Sequence, residues 1–148
     1  MEPMKMMLVD DEPRFLTTTR KLLEKKGIEV ATAASGSEAL EKLTAAPVHV
    51  VILDVKMPGM DGVATLRQIK QRFPMVEVIM LTGHATVESA IEGLKSGATD
   101  YLVKPADLDD IIAKATEAYS RREDIEEKIR VARMRGLMKS PREILQNA

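Results

Sequence analysis

A regular alternation between short apolar runs and longer segments of helical periodicity restricts the fold of this 148-residue sequence more than any other feature. The apolar runs are rich in Val, Ile and Met, and they predict five strands, at residues 4–9, 28–33, 48–53, 76–81 and 100–103. Such alternation is typical of a parallel sheet with right-handed crossovers and helices on both faces. Runs such as "VVIL" and "VIML" contain no polar residue, as expected for strands that are buried on both faces.

Helix start and stop signals lie between the predicted strands. Pro13 opens the first helix and Gly27 ends it, while Ser35 and Glu38 have the spacing of a capping box at the start of the second helix. The third helix is predicted at about 63–73, the fourth at about 86–96, and the fifth from about 107 onward. The sequence therefore predicts an α/β domain with a five-stranded parallel sheet in the flavodoxin-like order 2-1-3-4-5.

Composition excludes several classes of protein. The net charge of −1 gives no reason to expect direct nucleic-acid binding, and no stretch approaches the roughly 18 apolar residues of a membrane span. The absence of cysteine excludes a disulfide framework and a thiolate metal site. Aromatic residues make up only 3% of the chain, which argues against a flavin-binding electron carrier. Because the N-terminus lacks the apolar region of a signal peptide, we expect a cytoplasmic protein.

Polar and charged side chains that could bind ligands or react directly follow four of the predicted strands. Asp10 and Asp11 follow the first strand, Asp54 follows the third, Thr82 the fourth and Lys104 the fifth. In open parallel sheets, ligands bind outside the carboxyl ends of the strands, where the strand order reverses. With the predicted strand order, these five side chains converge at one edge of the sheet.

The three carboxylates of this cluster constrain its chemistry, because they repel one another unless a cation neutralises them. Their hard oxygen ligands suit Mg²⁺. A carboxylate can also attack phosphorus to form an aspartyl-phosphate, and Thr82 and Lys104 could then hold the charged oxygens of the transferred group. This chemistry predicts Asp54 as the phosphoacceptor, and the backbone carbonyl of Lys56, in the loop "KMPGMDG", as a further metal ligand.

The segments "LVDDE", "ILDVKMPGMDG", "MLTGHA" and "DYLVKP" resemble, in order and spacing, the motifs of the receiver domain of two-component response regulators, over about residues 4–120. The stretch from "LTGHA" to "LVKP" is most similar to receivers of the nitrogen-regulatory activator class. The resemblance implies the following roles: phosphoacceptor for Asp54, Mg²⁺ ligation for Asp10 and Asp11, phosphate binding for Lys104, and switching for Thr82 and Tyr101. It also implies a cis peptide bond before Pro105.

Taken singly, each of these residues has an ordinary structural explanation. Asp54 could be a turn residue near Pro and Gly, Asp11 could cap the first helix, and Lys104 could lie in a solvated turn. The conjunction of five suitable side chains at four strand ends favours a functional site. Lys56 and His84, two residues beyond Asp54 and Thr82, are candidates for tuning the lifetime of the phosphorylated state.

The composition changes near residue 121, since the last 28 residues carry 8 Lys and Arg against 5 Asp and Glu. We therefore predict a receiver domain over residues 1–120 and a helical extension or linker over 121–148. Apolar residues continue at three- and four-residue steps beyond the length of helix that is needed to cover the sheet, so the fifth helix is predicted to be long. Ile125 and Ile129 are therefore expected to project past the domain. The extension is either a marginal helix end that frays or a helix that binds a partner or a second copy. A capping box at 140–143 predicts a last short helix.

The resemblance, together with the residues at the strand ends, implies a phosphorylation-controlled signalling module in which Asp54 accepts a phosphoryl group from a sensor histidine kinase. Its expected output is control of a downstream protein or of an output domain missing from this sequence, with a homodimer through the C-terminal helix or through the face formed by the fourth helix, fifth strand and fifth helix. No enzymatic activity is expected beyond its own phosphorylation and dephosphorylation. The alternative is a small-molecule phosphatase with an aspartyl-phosphate intermediate. Haloacid-dehalogenase-like phosphatases need D-x-D at the nucleophile, and here Lys56 takes the second position.

Overall fold

The computed structural model describes residues 3–55, 62–83 and 87–136, apart from the side chains of residues 87–89. The strands in these ranges are β1 (Lys5–Val9), β2 (Glu29–Ala33), β3 (Val50–Asp54), β4 (Glu77–Thr82) and β5 (Asp100–Val103). The helices are α1 (Pro13–Lys25), α2 (Gly36–Ala45), α3 (Gly62–Arg72), α4 (Val87–Lys95) and α5 (Leu108–Met134). All strand pairs are parallel, in the order β2-β1-β3-β4-β5, so the predicted fold is confirmed.

The sheet register aligns the carboxyl ends of the strands. Val9, the last residue of β1, pairs with Ala33 and with Leu53. On the other side of β3, Asp54 pairs with Leu81. Asp10 directly after β1, Asp54 and Thr82 as the last residues of β3 and β4, and Lys104 directly after β5 therefore reach the same edge of the sheet.

The core consists of two apolar layers, one on each face of the sheet. On one face, side chains of α1 and α5 such as Leu23 and Ile111 pack against β1, β3 and β4. On the other face, side chains of α2 and α3 such as Leu40 and Ile69 do the same. Every residue of β3 and β4 is buried, as expected for central strands covered on both sides. In the described parts of the chain, no helix has both the length and the apolar character needed to cross a membrane.

Local signals set the helix ends. The predicted capping residues act at the start of α2, because the Glu38 N–H donates to Ser35 Oγ at 3.2 Å. The Glu38 carboxylate accepts the Ala34 N–H at 2.9 Å, one residue before the Ser35 N–H that a standard capping box uses. Pro13 begins α1. The positive φ angles of Gly27 (83°) and Gly97 (110°) let the chain turn after α1 and α4.

The long helix α5 lies against the domain over much of its C-terminal half. It has 27 residues and crosses positions 120 and 121 without a break. Ile125 and Ile129 are each only 8% exposed and form a small cluster with Met75 and Ala132. The expectation that the two isoleucines project past the domain is therefore wrong, because the segment that leads into β4 supplies Met75 as a packing partner. The short helix predicted at 140–143 lies outside the described residues.

Candidate functional site

Asp10 is a fully buried carboxylate at the end of β1, at the edge where the strands end. Its backbone N–H donates to the Ala33 carbonyl at 3.1 Å, and its Oδ1 accepts from the Glu12 N–H at 2.9 Å. These bonds fix both the backbone and the carboxylate of Asp10. A carboxylate of this kind is rarely buried without a functional or structural partner.

Asp10, Asp11 and Asp54 lie together, as the sequence predicts. One carboxylate oxygen from each of the three lies within 4.8 Å of the other two. Asp10 and Asp54 are buried, whereas Asp11 is exposed. The site is therefore exposed on the side of Asp11 and lies where β1 and β3 are neighbours in the sheet.

Lys104 closes the other side of the site. Its Nζ donates to Asp10 Oδ2 at 2.7 Å and lies 3.8 Å from Asp54 Oδ1. Burial lowers the pKa of Lys104, but the hydrogen bond to Asp10 and the charges of Asp10 and Asp54 outweigh burial, so its pKa is raised. The ammonium is therefore fully charged at neutral pH. The Lys104–Pro105 peptide bond is cis, in agreement with the expectation from sequence.

The charges of the site do not balance among the described residues. Among the residues that the structure describes here, three carboxylates lie beside the ammonium of Lys104, so acidic groups outnumber the basic one at this partly buried edge. Crowded carboxylates of this kind destabilise the folded state unless a cation neutralises them. A divalent cation with oxygen ligands fits both this charge excess and the donor set.

The loop after β3 is closed at its base by a tight backbone contact. The Gly62 N–H donates to the Val55 carbonyl at 3.1 Å. A Cβ atom at position 62 would lie 2.5 Å from Val55 Cα, so only glycine fits there. This contact explains why glycine follows Asp61 in the sequence. The loop residue Lys56, like His84 after β4, lies outside the described residues, so their predicted roles stay predictions.

Thr82 and Tyr101 occupy different environments. Thr82, the last residue of β4, is only 6% exposed, and its carbonyl accepts the Lys104 N–H at 2.7 Å. Tyr101, on the edge strand β5, is 37% exposed. Three exposed apolar side chains share the surface of α4 and β5 with Tyr101: Ile91, Leu94 and Val103. Thr82 thus lies at the site, whereas Tyr101 lies on the outer surface of the neighbouring strand.

Sequence reasoning missed Phe15, whose ring faces the site from α1. The ring centroid lies 5.2 Å from Lys104 Nζ, close enough for a cation–π interaction. No motif contains Phe15. The available signal was positional, since the first turn of α1 directly follows Asp10 and Asp11 and brings its side chains to the same edge of the sheet.

The fold and this edge define a receiver domain. Residues 6–116 match the model of the response regulator receiver domain family, so the chain belongs to that family. It is 41% identical over 113 residues to the DNA-binding transcriptional regulator NtrC of Klebsiella pneumoniae, an alignment that covers 76% of this chain and 24% of NtrC. It is 40% identical over 120 residues to the transcriptional regulatory protein ZraR of Escherichia coli (strain K12), covering 81% of this chain and 27% of ZraR.

Solved structures agree with this assignment. A CheY-like response regulator receiver domain protein from Methanospirillum hungatei JF-1 superposes with a TM-score of 0.79 at 31% identity, covering 83% of this chain and 98% of that chain. The receiver fold is therefore shared along nearly the whole length of that protein. In contrast, this chain spans only about a quarter of the length of the regulators NtrC and ZraR.

Proposed function

We propose that this chain is a phosphorylation-controlled signalling module of a two-component system and that Asp54 accepts the phosphoryl group. The observation that carries the proposal is the buried Asp54 carboxylate, which lies 3.8 Å from the Lys104 ammonium and within 4.8 Å of the other two acids. A carboxylate in this position can act as a nucleophile toward phosphorus. The same surroundings can stabilise the charge that the phosphoryl group brings.

Asp10, Asp11 and Asp54 would hold Mg²⁺, which would offset the negative charge of the three carboxylates and of the incoming phosphoryl oxygens. The Lys56 carbonyl is proposed as a further ligand. Asp10 also holds Lys104 by the 2.7 Å hydrogen bond, which keeps the ammonium next to Asp54. Lys56 and His84 are the proposed tuning residues for the lifetime of the phosphorylated state.

In the proposed reaction, a carboxylate oxygen of Asp54 attacks the phosphorus of a phosphohistidine on a sensor kinase. The oxygen–phosphorus bond forms while the phosphorus–nitrogen bond breaks, and the histidine keeps the electron pair of that bond. The Lys104 ammonium binds one oxygen of the transferred group, and the Thr82 hydroxyl donates a hydrogen bond to another. Positioning and charge stabilisation supply most of the catalysis in such transfers.

The phosphoryl group is proposed to change the surface of α4, β5 and α5. The Thr82 hydroxyl moves toward the phosphate, and the Tyr101 ring enters the space that it leaves. The exposure of Tyr101 and its apolar neighbours supports this surface as the output face. This face would contact a downstream protein, an output domain or a second copy of the chain. Residues 121–148 would act as the helical extension of a receiver domain at 1–120.

Phosphorylation of the purified chain tests the assignment of Asp54. With acetyl phosphate and Mg²⁺, intact-protein mass spectrometry should show one added phosphoryl group, which Asp54→Asn abolishes. Asp109→Asn is the matched control, because Asp109 lies in the first turn of α5 and is exposed. Equal phosphorylation of Asp54→Asn and Asp109→Asn would contradict the proposal.

Sedimentation velocity with Mg²⁺ and beryllofluoride, a phosphoryl mimic, tests the homodimer. A monomer-to-dimer shift that Asp54→Ala abolishes would support association as the output. Thr82→Ala should bind the mimic but fail to dimerise, because the switch hydroxyl is missing. Unchanged sedimentation of the unsubstituted chain with the mimic bound would exclude dimerisation and leave a downstream protein or an output domain as the contact of this face.

A further inference from the structure

The ammonium of Lys104 faces an aromatic ring as well as two carboxylates. Its Nζ lies 2.7 Å from Asp10 Oδ2, 3.8 Å from Asp54 Oδ1 and 5.2 Å from the centroid of the Phe15 ring. A cation within about 6 Å of an aromatic centroid is attracted by the negative face of the ring. Three contacts of different chemical kinds therefore restrain one ammonium.

The position of Phe15 is itself fixed by packing. Phe15 is the third residue of α1, and its half-buried side chain packs against the apolar cluster between the sheet, α1 and α5. The cluster includes Leu16 and Ile111. Because the core holds the ring, the ring can restrain the more mobile lysine.

A lysine side chain has a flexible four-carbon stem, so its ammonium contributes to a reaction only when something positions it. Asp10 supplies one restraint, but Asp10 is also a proposed Mg²⁺ ligand, and metal binding competes for its oxygens. The ring of Phe15 has no such competing role. We propose that Phe15 is a positioning residue for Lys104. The Phe15 ring holds the Lys104 ammonium where it can bind an oxygen of the phosphoryl group on Asp54.

This inference rests on the proposed function. Two other roles of Phe15 would give a different result: simple packing in the core, or contact with a protein phosphodonor. A small phosphodonor tests the reaction without contact between Phe15 and a protein donor. A change in the electron density of the ring at nearly constant ring shape separates the cation–π interaction from simple packing. The chain offers a matched control, because its second phenylalanine, Phe73, lies under the guanidinium of Arg72, with the ring centroid 5.4 Å from Cζ, and packs on the opposite face of the sheet.

The test replaces Phe15 in the full chain with mono-, di- and trifluorinated phenylalanine, which weaken the negative face of the ring in steps and barely change its shape. The rate of Asp54 phosphorylation is measured with acetyl phosphate and Mg²⁺. We expect a stepwise decrease, to a total of about three- to tenfold for the trifluorinated ring, the size of a partly buried cation–π interaction. The same series at Phe73 should leave the rate unchanged.

A second arm separates positioning from packing. In a Lys104→Met background, the slower residual rate should no longer respond to fluorination of Phe15, since no ammonium remains to be held. The inference is overturned by a flat or rising rate along the Phe15 series, by an equal decrease along the Phe73 series, or by a decrease that persists in Lys104→Met. If the unsubstituted chain gains no phosphoryl group on Asp54, the proposed function fails and the inference fails with it.

Discussion

The carboxyl and amino edges of the sheet differ in how their acidic side chains are paired with cations. At the carboxyl edge, three of the described acids, Asp10, Asp11 and Asp54, lie beside the Lys104 ammonium. At the amino edge, the buried Glu77 accepts a hydrogen bond from the Thr99 hydroxyl and lies 3.6 Å from Arg121 Nη1. On the same side, Lys114 Nζ donates to Asp100 Oδ2 at 2.6 Å. Each of these described acids at the amino edge therefore has a cationic partner.

The amino edge also holds α5 in place. His49, just before β3, accepts the Lys5 N–H on Nδ1 at 3.0 Å, and its ring stacks on Tyr119 of α5 with centroids 4.8 Å apart. Arg122 donates to the Met75 carbonyl at 3.1 Å. The comparison teaches that, among the described residues, acids paired with cations of α5 hold that helix on the sheet, whereas the acids at the carboxyl edge are grouped beside one another and outnumber the nearby ammonium.

The largest effect is expected from the apolar cluster at the amino edge. Ile125→Ala should lower the free energy of unfolding by about 2 kcal/mol, because it removes buried methyl and methylene groups. Ile91→Ala, at a position that is 46% exposed, should cost less than about 0.5 kcal/mol. Urea denaturation measures both values. Equal costs would mean that Ile125 is not packed and that the extension is loosely attached.

The second-largest effect is expected from Mg²⁺ binding, which should stabilise the folded chain through the acids of the carboxyl edge and not through Glu77 at the amino edge. Mg²⁺ at ten times its dissociation constant should stabilise the chain by about 1.4 kcal/mol, since it binds the folded state alone. Differential scanning calorimetry would detect the shift in Tm. Asp10→Asn and Asp54→Asn should greatly weaken the shift, whereas Glu77→Gln should keep it. A Mg²⁺ response that survives in Asp10→Asn would place the cation elsewhere.

Removal of one negative charge should change the free energy of unfolding in opposite directions at the two edges. Without Mg²⁺, Asp54→Asn should raise the free energy of unfolding, because it relieves repulsion among three carboxylates. Glu77→Gln should lower it by about 1 kcal/mol, because it removes a charge that is paired. Paired denaturation curves in a chelating buffer measure both signs. The contrast between the edges is lost if both substitutions destabilise.

The smallest effect concerns pH. Burial lowers the pKa of His49, and Arg122 and Lys5 lower it further, while Glu123 and Glu126 act in the opposite direction. The unfolded state therefore binds the proton more readily than the folded state. The contribution of His49 to stability is full above the unfolded pKa of about 6.5 and is lost as the pH falls below that value.

Denaturation at several pH values should show this loss in the unsubstituted chain and a weaker slope in His49→Gln, whose amide oxygen can still accept the Lys5 N–H. The difference between the two chains isolates His49 from the second histidine, His84. Identical slopes would mean that His49 does not titrate in the folding equilibrium.

Much of the fold and of the site could be predicted, because the helix ends depend on signals that are local in the chain and the site depends on the strand order that the alternation of strands and helices implies. The capping box at Ser35 and Glu38 and the stop at Gly97 act within one helical turn. The convergence of Asp10, Asp54 and Lys104 follows from strand order alone, since parallel strands end at the same edge. The contact between Phe15 and Lys104 could not be predicted, because it depends on how α1 is rotated against the sheet.

The sequence by itself determined, to within about two residues, where the strands and most helix ends lie, and which chemical groups lie at the strand ends. The tertiary structure alone decided where the second half of α5 lies. Its apolar residues have a helical period that suits a free helix, a dimer or a docked one equally well. Met75 and Ile125 are far apart in sequence, so only the folded sheet brings them together. The sequence pattern shows that a face is apolar, but the partner of that face depends on the geometry of the whole domain.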